Sequence, residues 1–206
     1  MNIFKFFTKK QSETKQEDMQ KFLIVGLGNI GEPYKNTRHN IGFKILDTLA
    51  KDKGIKFETE KLGDIVRFKH KGKSFTLLKP NTYMNLSGKA VKYWMSQEKI
   101  KLENVCIITD DVHIDFGSIR IKIKGSAGGH NGLKDVEDKL QTECYTRFRF
   151  GVGGNFAKGR LVDFVLGQWT KEEESLLIER IPVAINAIVS FGTDGINNTM
   201  NTYNGK

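Results

Sequence analysis

Short apolar runs of strand length alternate with stretches of helical period along this chain, and that alternation restricts the fold more than any other feature. KFLIVGLG at 21–28 is an apolar run that ends in glycines. From Thr37 the period turns helical: Ile41, Ile45, Leu46 and Leu49 share a face, and Gly54 follows the end. DIVRFKHKGKSFTLLKP at 64–80 reads as two strands joined by a tight turn near Lys71-Gly72. Ser87 is placed to cap a helix containing Ala90, Val91, Trp94 and Met95. NVCIIT at 104–109 is a buried strand, and SIRIKIK at 118–124 alternates strictly. A glycine-rich loop leads into a helix near 131–140, RFRFGVG at 147–153 is another strand, and a last helix runs from about 171 to 191. Its apolar stripe is Leu176, Leu177, Ile181, Ala184, Ile185 and Ile188. Strands and helices interleave without repeats or linkers, so a single α/β layered domain is expected.

Gly26, Gly28 and Gly31 within IVGLGNIG match the G-x-G-x-x-G spacing of a dinucleotide loop. The surroundings do not match. Such a loop aims the N-terminus of an immediately following helix at a pyrophosphate. Here Glu32-Pro33-Tyr34-Lys35-Asn36 intervenes, and no acidic residue closes a second strand, because Asp47 lies within the helical pattern. The glycines therefore read as a tight strand exit that leaves Asn29 at the carboxyl edge of the sheet, where α/β proteins commonly place sites.

The net charge of +9 is concentrated in the body of the chain. Residues 21–160 carry 26 Lys and Arg against 15 Asp and Glu, whereas 161–206 carry three against six. A basic body favours a polyanionic partner, with nucleic acid ahead of a membrane surface. No window reaches the uninterrupted apolar length of a membrane span. Cys106 and Cys144 are too few for a disulfide scaffold and read as buried, reduced thiols, which fits a cytoplasmic address. Residues 1–20 lack an apolar period and are expected to be a flexible N-terminal extension, with the domain spanning 21–206. The extension lacks the apolar stretch and cleavage site of a secretory signal, and Glu13, Glu17 and Asp18 do not fit a transit peptide. Phe4, Phe6 and Phe7 leave open a contact with the body or a partner.

Polar side chains gather at strand ends and helix starts: Asn29, Arg38-His39-Asn40, Tyr83-Met84-Asn85, Asp110-Asp111, and Gly128-Gly129-His130-Asn131-Gly132. No G-x-S-x-G elbow is present to expose a nucleophilic serine, and neither cysteine has a neighbour that would lower its pKa. What remains is His39 as a general base acting on water, with an aspartate to fix its tautomer. Each residue also has a structural reading: a histidine at a helix start can cap it, Asp110 can end a strand, and asparagines form turns. Asp111, His113 and Asp115 alternate, but without a recognised metal-ligand spacing, and the stretch reads as non-metallic.

Strand alternation sets the basic residues apart. In SIRIKIK, Ile119, Ile121 and Ile123 face one way and Arg120, Lys122 and Lys124 the other; in RFRF, Phe148 and Phe150 bury while Arg147 and Arg149 project. Five cations on two strands can line a track of phosphates, or simply form a solvated face.

Taken together, FLIVGLGNIG, YKNTRHNIGF, LLKPNTYMNLSGKAV, the aspartate pair at 110–111, GGHNGLKD, RFRFGVG and FVLGQW resemble the bacterial peptidyl-tRNA hydrolase family over about 22–169. The resemblance implies an esterase that frees peptides from peptidyl-tRNA released by stalled ribosomes. It also implies a monomer with a twisted, mixed, mostly parallel sheet flanked by helices, and no metal or cofactor. Carried over by position, the likeness makes His39 the base and Asp110 its orienting carboxylate. It implies substrate-binding roles for Asn29, Tyr34, Tyr83, Asn85 and Asn131, and tRNA-phosphate contacts for Arg120, Lys122 and Arg149. Two departures stand out: Ile30 replaces a usual proline, and DDVHIDF carries His113 at a usually acidic or amide position and lacks a proline. A non-catalytic RNA-binding module would account for the basic face but not for the gathered His, Asp and Asn; a nicotinamide enzyme would account only for the glycines.

Overall fold

The computed structural model describes residues 19–206. All but the last two residues of the expected extension therefore lie outside the described residues. Of those two, Gln20 already docks on the sheet, its carbonyl accepting from Ser74 N at 3.0 Å.

The strands are β1 (Lys21–Gly26), β2 (Glu58–Glu60), β3 (Gly63–His70), β4 (Lys73–Pro80), β5 (Val105–Asp111), β6 (Ile119–Lys122) and β7 (Thr146–Gly151). The helices are α1 (Ile41–Asp52), α2 (Ser87–Gln97), α3 (Asn131–Leu140), α4 (Leu161–Val165), α5 (Lys171–Thr193) and α6 (Ile196–Tyr203). One seven-stranded sheet runs in the order β2-β3-β4-β1-β5-β7-β6. Its four central strands are parallel, and β2, β3 and β6 pair antiparallel at the two edges.

Helices cover both faces, which is why Phe22 to Val25 of β1 and Val105 to Ile108 of β5 run apolar without alternating. Along β1, Phe22 and Ile24 enter one core with α1 and α5, while Leu23 and Val25 enter the other with α2 and α3. Cys106 and Ile108 split from Val105 and Ile107 in the same way on β5. The turn between β3 and β4 has Lys71 and Gly72 both at positive φ, 45° and 72°, as a two-residue hairpin of right-handed twist requires.

The glycines after β1 serve helix packing. A Cβ on Gly28 would meet the Phe43 ring at 2.8 Å, and one on Gly42 would meet the Leu27 backbone at 2.6 Å. Their bare backbones let α1 lie directly on the strand exit. A 3-10 turn over Glu32–Tyr34 follows Gly31, not the long helix of a dinucleotide loop.

Several expectations are corrected. Arg147 does not project from β7: it is fully buried, pairing with Glu137 of α3 at 2.9 Å and lying over the Tyr145 ring. Ile123 is exposed because β6 ends at Lys122, and Leu176 falls outside the buried stripe of α5. Ser87 does not cap α2: it is the first helical residue, and its hydroxyl donates to Met84 O at 2.8 Å. Cys144 is exposed in the turn before β7, whereas Cys106 is buried and its thiol pushed up by desolvation. Helix α5 is long and apolar enough by length and composition to cross a membrane, at a mean hydropathy of 1.4, although Glu179 and Arg180 keep its apolar run from being uninterrupted, as the sequence led one to expect. Half of that window is buried, with Leu177, Ile181, Ala184, Ile185 and Ile188 packed on the sheet. Short elements β2, α4 and α6 carry too few residues to show a period.

Candidate active site

The carboxyl ends of β1, β4 and β5 and the start of α3 open onto one cavity of about 400 Å³. Parallel strands aim these ends the same way, so residues distant in sequence meet there. Asn29, His39, Tyr83, Asn85, Asp110, Asn131 and Arg149 line it, as does His113. Tyr34 lies in the preceding 3-10 turn and is not among the lining residues. Arg120 and Lys122 are exposed on the edge strand β6, opposite Arg149 and Arg147 across the ladder.

At the cavity floor, His39 Nδ1 sits 2.9 and 3.0 Å from the two oxygens of Asp110. The aspartate is buried at the end of β5, and the histidine sits in a 3-10 turn, Arg38–Asn40, leading into α1. A second imidazole shares the carboxylate: His130 Nε2 is 3.0 Å from Asp110 Oδ1, with the two rings 4.8 Å apart. His130 Nδ1 accepts from the backbone N–H of Gly132 and Leu133, capping α3. A nitrogen that accepts carries no proton, so the proton of neutral His130 is on Nε2, donated to Asp110. Burial pushes the Asp110 carboxyl up, but charge and hydrogen bonds from His39 and His130 outweigh it and hold the group well below the usual carboxylate range.

The tautomer of His39 follows from the same accounting. An ionised carboxylate only accepts, so His39 Nδ1 donates, and in the neutral ring the lone pair is on Nε2, on a side chain that lines the cavity. Donor atoms of His39, Asp110 and His130 lie within 4.8 Å of one another and form the set a metal would use. Their spacing is that of hydrogen bonds in which every proton has an acceptor.

Asn29 is held on three sides. Its backbone N–H and C=O pair with the Asn40 side-chain amide at 2.8 and 2.9 Å, and its Oδ1 accepts from Met84 N at 2.8 Å. That last bond orients the amide and leaves Nδ2 as the donor for a ligand. The side chains of Asn85 and Asn131 make no hydrogen bond among the described residues, and both lie on the cavity wall. Arg149 is anchored by Asp111 Oδ2 and Ser126 O, each at 3.1 Å. Asp111 also accepts, through Oδ1, from His113 N at 2.8 Å. This side-chain turn shapes the DDVHIDF loop without the missing proline.

His130 and Asn40 stand in two of the polar clusters of the sequence, but neither carried an assigned role there. The signal for His130 was its place one residue before a helical run, where a side-chain acceptor is favoured. Nothing local marks Asn40 as the brace of a loop eleven residues earlier.

A family model described as peptidyl-tRNA hydrolase matches residues 23–206. The peptidyl-tRNA hydrolase of Cytophaga hutchinsonii is 50% identical over 186 residues, covering 90% of this chain and 99% of that protein. The one from Phocaeicola vulgatus is 52% identical over 186 residues, covering 90% of this chain and all of its own length. The crystal structure of peptidyl-tRNA hydrolase from Acinetobacter baumannii superimposes with a TM-score of 0.82 at 34% identity, covering 90% of this chain and 97% of that one. Agreement this extended, from the first strand to the last residue, shows that the chain belongs to the peptidyl-tRNA hydrolase family, whose members are hydrolases.

Proposed function

We propose that this enzyme hydrolyses the ester between a peptide, or an N-blocked aminoacyl group, and the 3′-terminal ribose of tRNA, with His39 as the general base. The observation that carries the reading is the pairing of His39 Nδ1 with buried Asp110, which fixes the tautomer so that the lone pair of the neutral ring is on Nε2, on a ring lining the cavity. Nε2 takes a proton from water, the hydroxide attacks the ester carbonyl, and the proton on Nε2 passes to the departing ribose oxygen. Asp110 stays ionised and stabilises the imidazolium formed between those steps. His130 keeps its proton on Nε2 against Asp110 Oδ1, because its other nitrogen is occupied by two backbone donors.

The amides supply neutral donors, which neither titrate nor carry the desolvation cost of a charge. Asn29 Nδ2 is the preoriented candidate for a substrate carbonyl, joined by Asn85 and Asn131. A donor placed on a developing oxyanion is worth about 10²–10³-fold in rate. Contacts of this kind read the peptide backbone, as suits a substrate of any sequence. Tyr83 and Tyr34 complete the proposed binding set. Arg120, Lys122 and Arg149 are proposed to meet tRNA phosphates, supported by their common face across the β6–β7 ladder. The protein is proposed to act as a cytoplasmic monomer. The test is release of N-acetylaminoacyl groups from tRNA. General-base assistance contributes about 10²–10⁴-fold, so His39→Ala should lose at least that much kcat while its affinity for tRNA stays close to wild type. Unchanged turnover in that variant would refute the assignment.

A further inference from the structure

We infer that Arg38 is a positioning residue for this reaction: it clamps α4, an apolar wall of the cavity, onto the turn that carries His39. The inference rests on His39 being the base. Arg38 is only 7% exposed, which is rare for arginine unless it is fully paired. Its Nε and Nη2 donate to the two carboxylate oxygens of Glu173 at 3.1 and 2.6 Å. Nη1 donates to Phe164 O at 3.2 Å, and the guanidinium stacks 4.5 Å from the Phe164 ring centroid and 5.6 Å from that of Trp169. Glu173 is itself fixed by Thr170, with reciprocal bonds of 2.7 and 3.2 Å at the start of α5. The backbone joins in: Arg38 N donates to Gly167 O at 3.1 Å, and Thr37 bridges Gln168. A Cβ on Gly167 would meet Nη1 at 2.9 Å, so a bare backbone is needed for the clamp to close.

The clamp holds something that cannot hold itself. Helix α4 has five residues, of which Val165 alone is buried, and a helix that short is not stable by propensity. Its Leu161 and Val162 are 44% and 63% exposed, yet Leu161, Val162 and Val165 line the cavity. An apolar wall facing solvent gains nothing for folding; its use is to meet an acyl group at a set distance from the base. A buried ion pair is a poor source of net stability but a good means of fixing geometry, and Arg38, the residue directly before His39, ties that wall to the turn of the base.

The experiment compares Arg38→Lys, Glu173→Gln and the double variant with wild type in N-acetylaminoacyl-tRNA hydrolysis across pH, with His39→Ala alongside. Arg38→Lys keeps the charge opposite Glu173, so the protein folds, but an ammonium cannot reproduce the planar fork. Misplacement of this kind costs on the order of 10–100-fold in kcat/KM. The acid limb of the pH profile should not move, because the His39–Asp110 bonds are untouched. The double variant should be no worse than the worse single one. Wild-type kcat/KM with only a lowered Tm, or a shifted acid limb, overturns the clamp. If His39→Ala is inactive while Arg38→Lys matches wild type, the clamp alone fails; if His39→Ala is active, the base assignment fails first.

Discussion

His130 Nε2 donates to Asp110 Oδ1 at 3.0 Å, the same oxygen that receives His39 Nδ1 at 2.9 Å. One buried carboxylate thus serves two imidazoles. Because His130 caps α3 with its other nitrogen, the helix backbone dictates which tautomer Asp110 meets.

Replacing His130 separates capping from the hydrogen bond to Asp110. Asparagine is a good N-cap, so His130→Asn should hold stability within about 1 kcal/mol of wild type. It removes the Nε2 donor, leaving Asp110 to His39 alone. A changed acid limb in the pH profile of kcat/KM, with little change in the urea unfolding midpoint, is the expected outcome. An unmoved profile would show that the shared carboxylate has no bearing on the base.

Asp110 should also leave a mark on stability. Its folded pKa lies below the unfolded value of about 3.9, so its ionised form stabilises the fold fully above about pH 5. That contribution disappears as pH falls through the folded pKa. The stability gap between wild type and Asp110→Asn should therefore be full at neutral pH and close in strong acid. Urea unfolding across pH measures it, and a gap that widens on acidification contradicts the assigned ionisation.

The two strand arginines of β7 should separate structure from recognition. Arg147 is buried against Glu137, so Arg147→Ala strands a carboxylate at a cost of about 3–5 kcal/mol. Its tRNA affinity per folded molecule should be unchanged. Arg120→Ala, on the exposed edge strand, should do the reverse: unfold like wild type, bind tRNA more weakly, and lower the salt slope of log K by about one phosphate contact. Filter binding at several salt concentrations beside thermal unfolding distinguishes them.

Gly42→Ala tests the close packing of α1 against the strand exit that carries the glycine motif. The added methyl would sit 2.6 Å from both Leu27 N and Leu27 O, backbone atoms that cannot yield without moving β1 from α1. Overpacking of this sort costs about 1–3 kcal/mol or more. The variant should unfold at a clearly lower denaturant concentration, with Asn29, two residues past Leu27, shifted enough to reduce turnover as well.

Much of this molecule was legible without coordinates where a residue's role follows from its own strand or helix. The apolar runs of β1 and β5, the Lys71-Gly72 turn and the helical stripe of α1 are local patterns, because side chains repeat every two or 3.6 positions along the element that holds them. Family likeness then named His39, Asp110 and the asparagines as a set. What stayed hidden depends on which element packs where. Arg147 and Arg149 look alike in RFRF, but α3 buries the first while the cavity admits the second. His130, Asn40 and Arg38 act through partners 20, 11 and 135 residues away. Local periodicity determined the strands, the helices and the α/β class; only the packing of helices on the sheet decided which nitrogen of His39 and of His130 meets Asp110, since that depends on atoms that folding alone brings within hydrogen-bond reach.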